Sequence, residues 1–154
     1  MVRRLAKALA TFCCAVFFGA AAYISLVQHP AALETGNEFA VRFFTPMYRR
    51  AALMQASLAI IGAISSIAAY LLAGGRAWLL SAVLIAGVVP YTLLIVEPIN
   101  QEIQTVDPSA GEAVELLMRW GWLHWVRTLA SGIALAICLI AMARTELRIQ
   151  APFL

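Results

Sequence analysis

The chain has 154 residues, 63% of them hydrophobic and only 12% charged, with a net charge of +3. Soluble domains carry about 25% charged residues, so half that share leaves too little polar coat for a water-soluble globule, and so apolar a chain is not disordered either. The few basic residues are scattered rather than gathered on one face, which is no nucleic-acid footprint, and the apolar, charge-poor composition points to an all-α integral membrane protein.

A spanning helix needs roughly 20 apolar residues. The first candidate runs Leu5–Val27, with Lys7 close enough to its end to snorkel outward. Met1–Ser25, with Ala20-Ala21-Ala22, also has the layout of a signal peptide. Its apolar stretch exceeds a usual signal core, so it is expected to stay as a span that ends at His29-Pro30. Thr45-Pro46 is an N-cap followed by Pro at a first helical position, so the second helix is expected to begin near Pro46, ahead of its apolar run Ala51–Ala73. Gly74-Gly75-Arg76 is so short a link that the second and third spans must form an antiparallel hairpin.

The third span, Ala77–Val96, is expected to end bent or broken, because Pro90 and Pro98 each remove a helical hydrogen bond. That break would aim Glu97 and Asn100 inward. Asp107-Pro108-Ser109, with Glu112 three residues beyond Ser109, has the pattern of a capped helix start. The fourth span is clean only over Thr128–Ala143 and reaches full length by starting at Leu123, which brings in His124 and Arg127. From Pro108 to Ala143 such a helix would measure about 54 Å, well beyond the bilayer core.

These segments predict a single transmembrane domain over 1–154, a four-helix bundle with spans at 5–27, 51–73, 77–96 and 123–143. Helices two to four would continue into a small polar cap on the outer side. Gly62, Ala63, Ser65, Ser66 and Ala69 on span two, and Gly132, Ala134 and Ala136 on span four, would let backbones approach closely. Arg3, Arg4, Lys7, Arg76, Arg144 and Arg148 sit in short segments beside spans, so both termini are expected to be cytoplasmic, in the plasma (inner) membrane.

Sorted by depth, the unusual polar residues gather at one end of all four spans: His29; Tyr48, Arg49 and Arg50; Glu97, Asn100 and Glu102; His124 and Arg127. Ionisable groups at membrane depth are costly, usually face the bundle interior and mark function. Trp120, His124 and Arg127 form one helical stripe expected to face the bundle, whereas Trp122 and Trp125 suit an interfacial belt. Each residue also has a plain structural use. His29 can terminate a helix, Arg127 can snorkel, Glu97 can be a bonded carboxyl or an Arg127 partner, and Arg49, Arg50 and Glu102 can be solvated charges. His29, Glu97 and His124 would make a two-histidine, one-carboxylate metal set such as iron or copper uses, but no diagnostic spacing supports it. Cys13, Cys14 and Cys138 form no Cys-x-x-Cys redox pair and are expected to be apolar packers.

His29-Pro30, Pro90-Tyr91-Thr92, Glu97-Pro98-Ile99-Asn100, and Trp120 with His124 and Arg127 together resemble the anthrone oxygenase-like family of small four-span membrane proteins. The resemblance runs from about Phe18 to about Ala143. It implies an oxygenase that converts a polycyclic anthrone to an anthraquinone with O2 and without metal or organic cofactor. Its matching positions are His29, Asn100, Trp120, His124 and Arg127, with Thr92 as a lesser one. In that chemistry a histidine would be the general base, Arg127 would stabilise the substrate anion, and Asn100 would donate to the developing oxyanion. Trp120 and Tyr91 would wall a flat aromatic substrate, with Thr92 and Glu97 beside them.

The expected function is therefore a membrane oxidoreductase acting on a hydrophobic aromatic small molecule, anthrone- or quinone-like. The expected partners are that molecule and the lipid bilayer, not nucleic acid, with a second copy of the chain as a further candidate. Two non-catalytic readings remain open: a small-molecule or lipid-binding protein, and an assembly partner in a larger membrane complex. The latter predicts that the polar residues face lipid rather than the bundle axis.

Overall fold

A computed structural model describes the backbone over residues 1–150 and the side chains through Arg144, so the side chain of Arg148 and residues 151–154 lie outside what is described. Four long helices make the fold: α1 (Val2–Glu34), α2 (Asn37–Ala73), α3 (Arg76–Thr105) and α4 (Gly111–Gln150). Each is long and apolar enough to cross a membrane. Every helix packs on its neighbour in sequence and α1 packs on α4, giving an antiparallel up-down-up-down bundle. Gly74 and Gly75 make the tight α2–α3 link with φ of 70° and 95°, values that L side chains avoid. One end of the bundle carries residues 3, 74–76 and 144; the opposite, distal end carries the α1–α2 and α3–α4 links.

The bundle is inverted relative to a soluble protein. Leu71 and Leu94 are 74% and 73% exposed, while Asn100, Gln55 and Ser81 are buried. Exposed large apolar side chains on every helix form a surface that only lipid can cover favourably, which makes this an integral membrane protein. The lower core is built of small residues. Gly62, Ala63, Ser65, Ser66 and Ala69 are buried on α2, and Ala134 on α4. Ala136, two residues past Ala134 and so on another face, is exposed instead. Cys13, Cys14 and Cys138 are buried and free, and the Ser81 hydroxyl lies 3.0 Å from Cys138 Sγ and 3.8 Å from Cys14 Sγ.

Four expected helix boundaries are corrected, the first two of one kind. α1 does not stop at His29-Pro30: a π-turn over Ile24–Gln28 leads into helix His29–Glu34. α3 is not broken either, because a π-turn over Thr92–Val96 leads into Glu97–Thr105. In both, the wider turn accommodates a proline two residues later, whose ring would crowd a regular α-turn. Third, α2 begins at Asn37, not near Pro46, which lies inside it. Ala40, Val41 and Phe44 ahead of Pro46 are buried among Ile99, Ile103 and Trp120, and that burial outweighs the missing hydrogen bond. Fourth, Ser109 does not cap α4. Instead Asp107 Oδ1 accepts from the Ser109 backbone N–H (2.9 Å) and hydroxyl (2.8 Å), an Asx-turn, and the helix starts at Gly111.

Candidate functional site

The stripe Trp120, His124 and Arg127 faces the interior, with 2%, 2% and 7% of each residue exposed, and Asn100 is fully buried. Trp122 is exposed, as are Arg49, Arg50 and Glu102. The lipid-facing arrangement that a pure assembly partner predicts is not found.

Trp120 is the hub. Its ring stacks on His124 at 4.8 Å, contacts His29 at 5.3 Å and meets Phe44 edge-on at 5.2 Å. Its indole N–H donates to Asn100 Oδ1 at 2.8 Å. Asn100 Nδ2 in turn donates to Glu97 Oε2 at 2.8 Å, and the Tyr48 hydroxyl donates to that same oxygen. A continuous hydrogen-bonded chain, Trp120–Asn100–Glu97–Tyr48, thus links α4, α3 and α2. The π-turn places Glu97 and Asn100 on this inner face although the helix stays unbroken.

The histidines are tied down differently. His29 Nε2 is 3.0 Å from the Leu117 carbonyl, an acceptor only, so this nitrogen carries the proton and Nδ1 keeps a lone pair in the neutral ring. The approach depends on Gly121, where a Cβ would lie 2.6 Å from His29 Cε1. His124 Nδ1 is 3.0 Å from Ser25 Oγ, which is 2.9 Å from Thr128 Oγ1, and Thr128 donates to the His124 carbonyl at 3.4 Å. One arrangement serves all three contacts at once: Thr128 donates to the carbonyl, Ser25 to Thr128, and His124 Nδ1–H to Ser25, which leaves the ring's lone pair on Nε2.

The expected site residues fall into two cavities rather than one. His29, Trp120 and His124 line a cavity of about 190 Å³ between α1 and α4, whose rim carries the exposed Met118 and Trp122. Thr92 and Arg127 line another of about 110 Å³, with Phe17, Tyr48 and Gln55. Asn100 and Glu97 line neither and connect them through the chain above. Tyr91 walls neither; its hydroxyl donates to the Leu123 carbonyl at 3.1 Å and pins α3 to α4. Glu97 is not the partner of Arg127, since the only ion pair among the described residues is Arg42–Glu38. Arg127 donates to Gln55 Oε1 instead.

The His29, Glu97 and His124 set is not assembled: among the described residues no group of three such side chains could hold a metal ion. Sequence reasoning missed Ser25, Gln55, Gly121 and Thr128. Each is a single small or neutral residue in an apolar run, where no spacing distinguishes it from packing.

A family model described as anthrone oxygenase matches residues 44–137, more than half of the chain. No curated protein and no solved structure matches. The matched stretch holds Asn100, Trp120, His124 and Arg127 but not His29.

Proposed function

The chain belongs to the anthrone oxygenase family, and on that premise we propose that it is a cofactor-independent, O2-dependent oxygenase of a hydrophobic aromatic molecule, anthrone- or quinone-like. The observation that carries the reading is the pair of histidines against Trp120, each with one ring nitrogen hydrogen-bonded, His29 Nε2 to the Leu117 carbonyl and His124 Nδ1 to Ser25, and the other left to accept a proton. The 190 Å³ cavity is smaller than the roughly 300–1,000 Å³ of a closed small-molecule site, but its mouth is open on the lipid-facing side. A flat ring system dissolved in the bilayer need insert only its reacting edge.

The chemistry needs little from the protein beyond a base and a dry, positively biased pocket. Loss of the acidic C–H of an anthrone gives an electron-rich anion that passes electrons to O2 directly. Oxygen bonds to that carbon, and the O–O bond breaks as the second hydrogen on the carbon leaves. One oxygen atom remains as the new quinone carbonyl and the other departs as water. His124 Nε2 takes the first proton, with Ser25 and Thr128 holding the ring in the required tautomer. Arg127, buried one turn along α4, favours the negative charge through a low-dielectric medium. Asn100, with both ends of its amide already bonded, positions Trp120 rather than touching substrate.

In the same reading the distal end is the polar cap on the outer side of the plasma membrane, with both termini cytoplasmic. The protein works alone or as a homo-oligomer on a lipid-borne substrate, with no nucleic-acid partner. The test is isotopic: purified protein supplied with an anthrone and ¹⁸O2 yields anthraquinone carrying one labelled oxygen. Quinone labelled from water rather than from O2 contradicts an oxygenase.

A further inference from the structure

The smaller cavity has a chemistry of its own. Arg127 is 7% exposed and Gln55 1%. The guanidinium donates to Gln55 Oε1 and lies over the Phe17 ring, 5.8 Å from its centre. That leaves Arg127 Nε–H and the Gln55 amide nitrogen buried without a hydrogen-bond partner. Among the described residues no acidic side chain lines the chamber. The Tyr48 hydroxyl hydrogen goes to Glu97 and that of Thr92 to the Val88 carbonyl, so the free donors here belong to Arg127 and Gln55. A buried cation with no counter-charge is strongly unfavourable, and donor hydrogens of a charged group make the strongest hydrogen bonds to anionic oxygen.

We propose that this chamber is a binding site for a single oxyanion group, such as a carboxylate, held by Arg127 and Gln55. Size supports the choice: about 110 Å³ holds a few atoms, the space of three or four waters at roughly 30 Å³ each, and not fused rings. The access route supports it as well. Ala52, Ala56 and Ala59 leave a gap between α2 and α3, and Ala56 and Leu93 are exposed at its mouth on the lipid-facing surface. The oxyanion can therefore arrive as a free ion or as the head of a lipophilic acid whose apolar body stays in the bilayer. Its cavity is separate from the His29–His124 one but shares Arg127 with the chemistry proposed there, which needs that guanidinium free of the oxyanion; the test reads binding alone, whether or not the protein turns over an anthrone.

The test uses full-length protein in lipid nanodiscs with two probes, nitrate as a free oxyanion and ¹³C-carboxyl decanoate as a lipophilic one. Empty discs correct for partitioning. The expected result is saturable binding of one probe molecule per chain. Gln55→Glu supplies an internal carboxylate to Arg127, so it should weaken that binding at least tenfold while the thermal midpoint holds or rises. Arg127→Met should weaken it as much, and Gln55→Glu keeps the test decisive if Arg127→Met does not fold. Tighter binding of decanoate supports a lipophilic acid, and nitrate binding as tightly as decanoate supports a free anion. If neither probe binds, or if Gln55→Glu leaves the affinity unchanged, the chamber is no oxyanion site.

Discussion

At the scale of single residues, Asn100 carries more than its size suggests. It accepts from Trp120 Nε1 and donates to Glu97 in a fully buried position. Asn100→Leu leaves the indole N–H buried and unbonded, which should cost about 1–3 kcal/mol. Asn100→Asp keeps an acceptor for Trp120 but sets a second carboxylate against Glu97, so it should be the more damaging of the two. Thermal unfolding in detergent reads both, and an Asn100→Asp protein as stable as the wild type would remove Asn100 from the chain's centre. Much of this residue-level picture was legible in sequence. The spacing of Trp120, His124 and Arg127 on one stripe sufficed to turn them inward, and costly polar groups at membrane depth pointed to Asn100 and Glu97. What spacing could not convey was their division between two cavities. That division depends on side-chain direction, which lets adjacent turns of one stripe reach opposite sides of a helix.

Among elements, the seam between α1 and α4 positions the histidines. Gly121 meets His29 and Gly132 meets Phe18, where a Cβ would lie 2.6 Å and 2.9 Å from ring carbons. The two contacts run in opposite order along the two helices, as antiparallel packing requires. Gly121→Ala should displace the His29 ring, break its bond to the Leu117 carbonyl and destabilise the protein by about 1–3 kcal/mol. A retained His29–Leu117 contact in the structure of that variant would show that the seam has more room than the geometry allows. The α3–α4 link offers a test in pH. Backbone and side-chain hydrogen bonds from Ser109 hold the exposed Asp107 carboxyl below its ordinary range. A lowered folded pKa means that the turn's stabilisation is complete above the unfolded carboxylate pKa and fades as pH falls through the folded one. An NMR titration should find Asp107 below the ordinary aspartate range, and Asp107→Asn should abolish the pH dependence of the turn. The helix ends were the least legible part of the fold. Proline and capping patterns describe local preference, whereas Pro46 lies inside a helix because Val41 and Phe44 are buried ahead of it, and Pro30 and Pro98 are absorbed by π-turns.

For the whole molecule, composition already dictated the outcome. A chain this apolar must place its leucines and isoleucines outward into lipid and its few polar groups inward, and the bundle does so. The interior polar groups then have only each other and whatever enters from the membrane. That condition produces a cavity lined by His29 and His124 on one side, a chamber lined by Arg127 and Gln55 on the other, and a hydrogen-bonded chain linking them. Whether the histidine cavity performs oxygen chemistry with no metal is read by oxygen uptake of metal-stripped, purified protein supplied with an anthrone. One O2 should be consumed per anthrone, and a folded His124→Ala variant should lose about 10²–10⁴-fold, the range of a general base. Undiminished uptake in that variant, or uptake that appears only when iron or copper is restored, would contradict that chemistry.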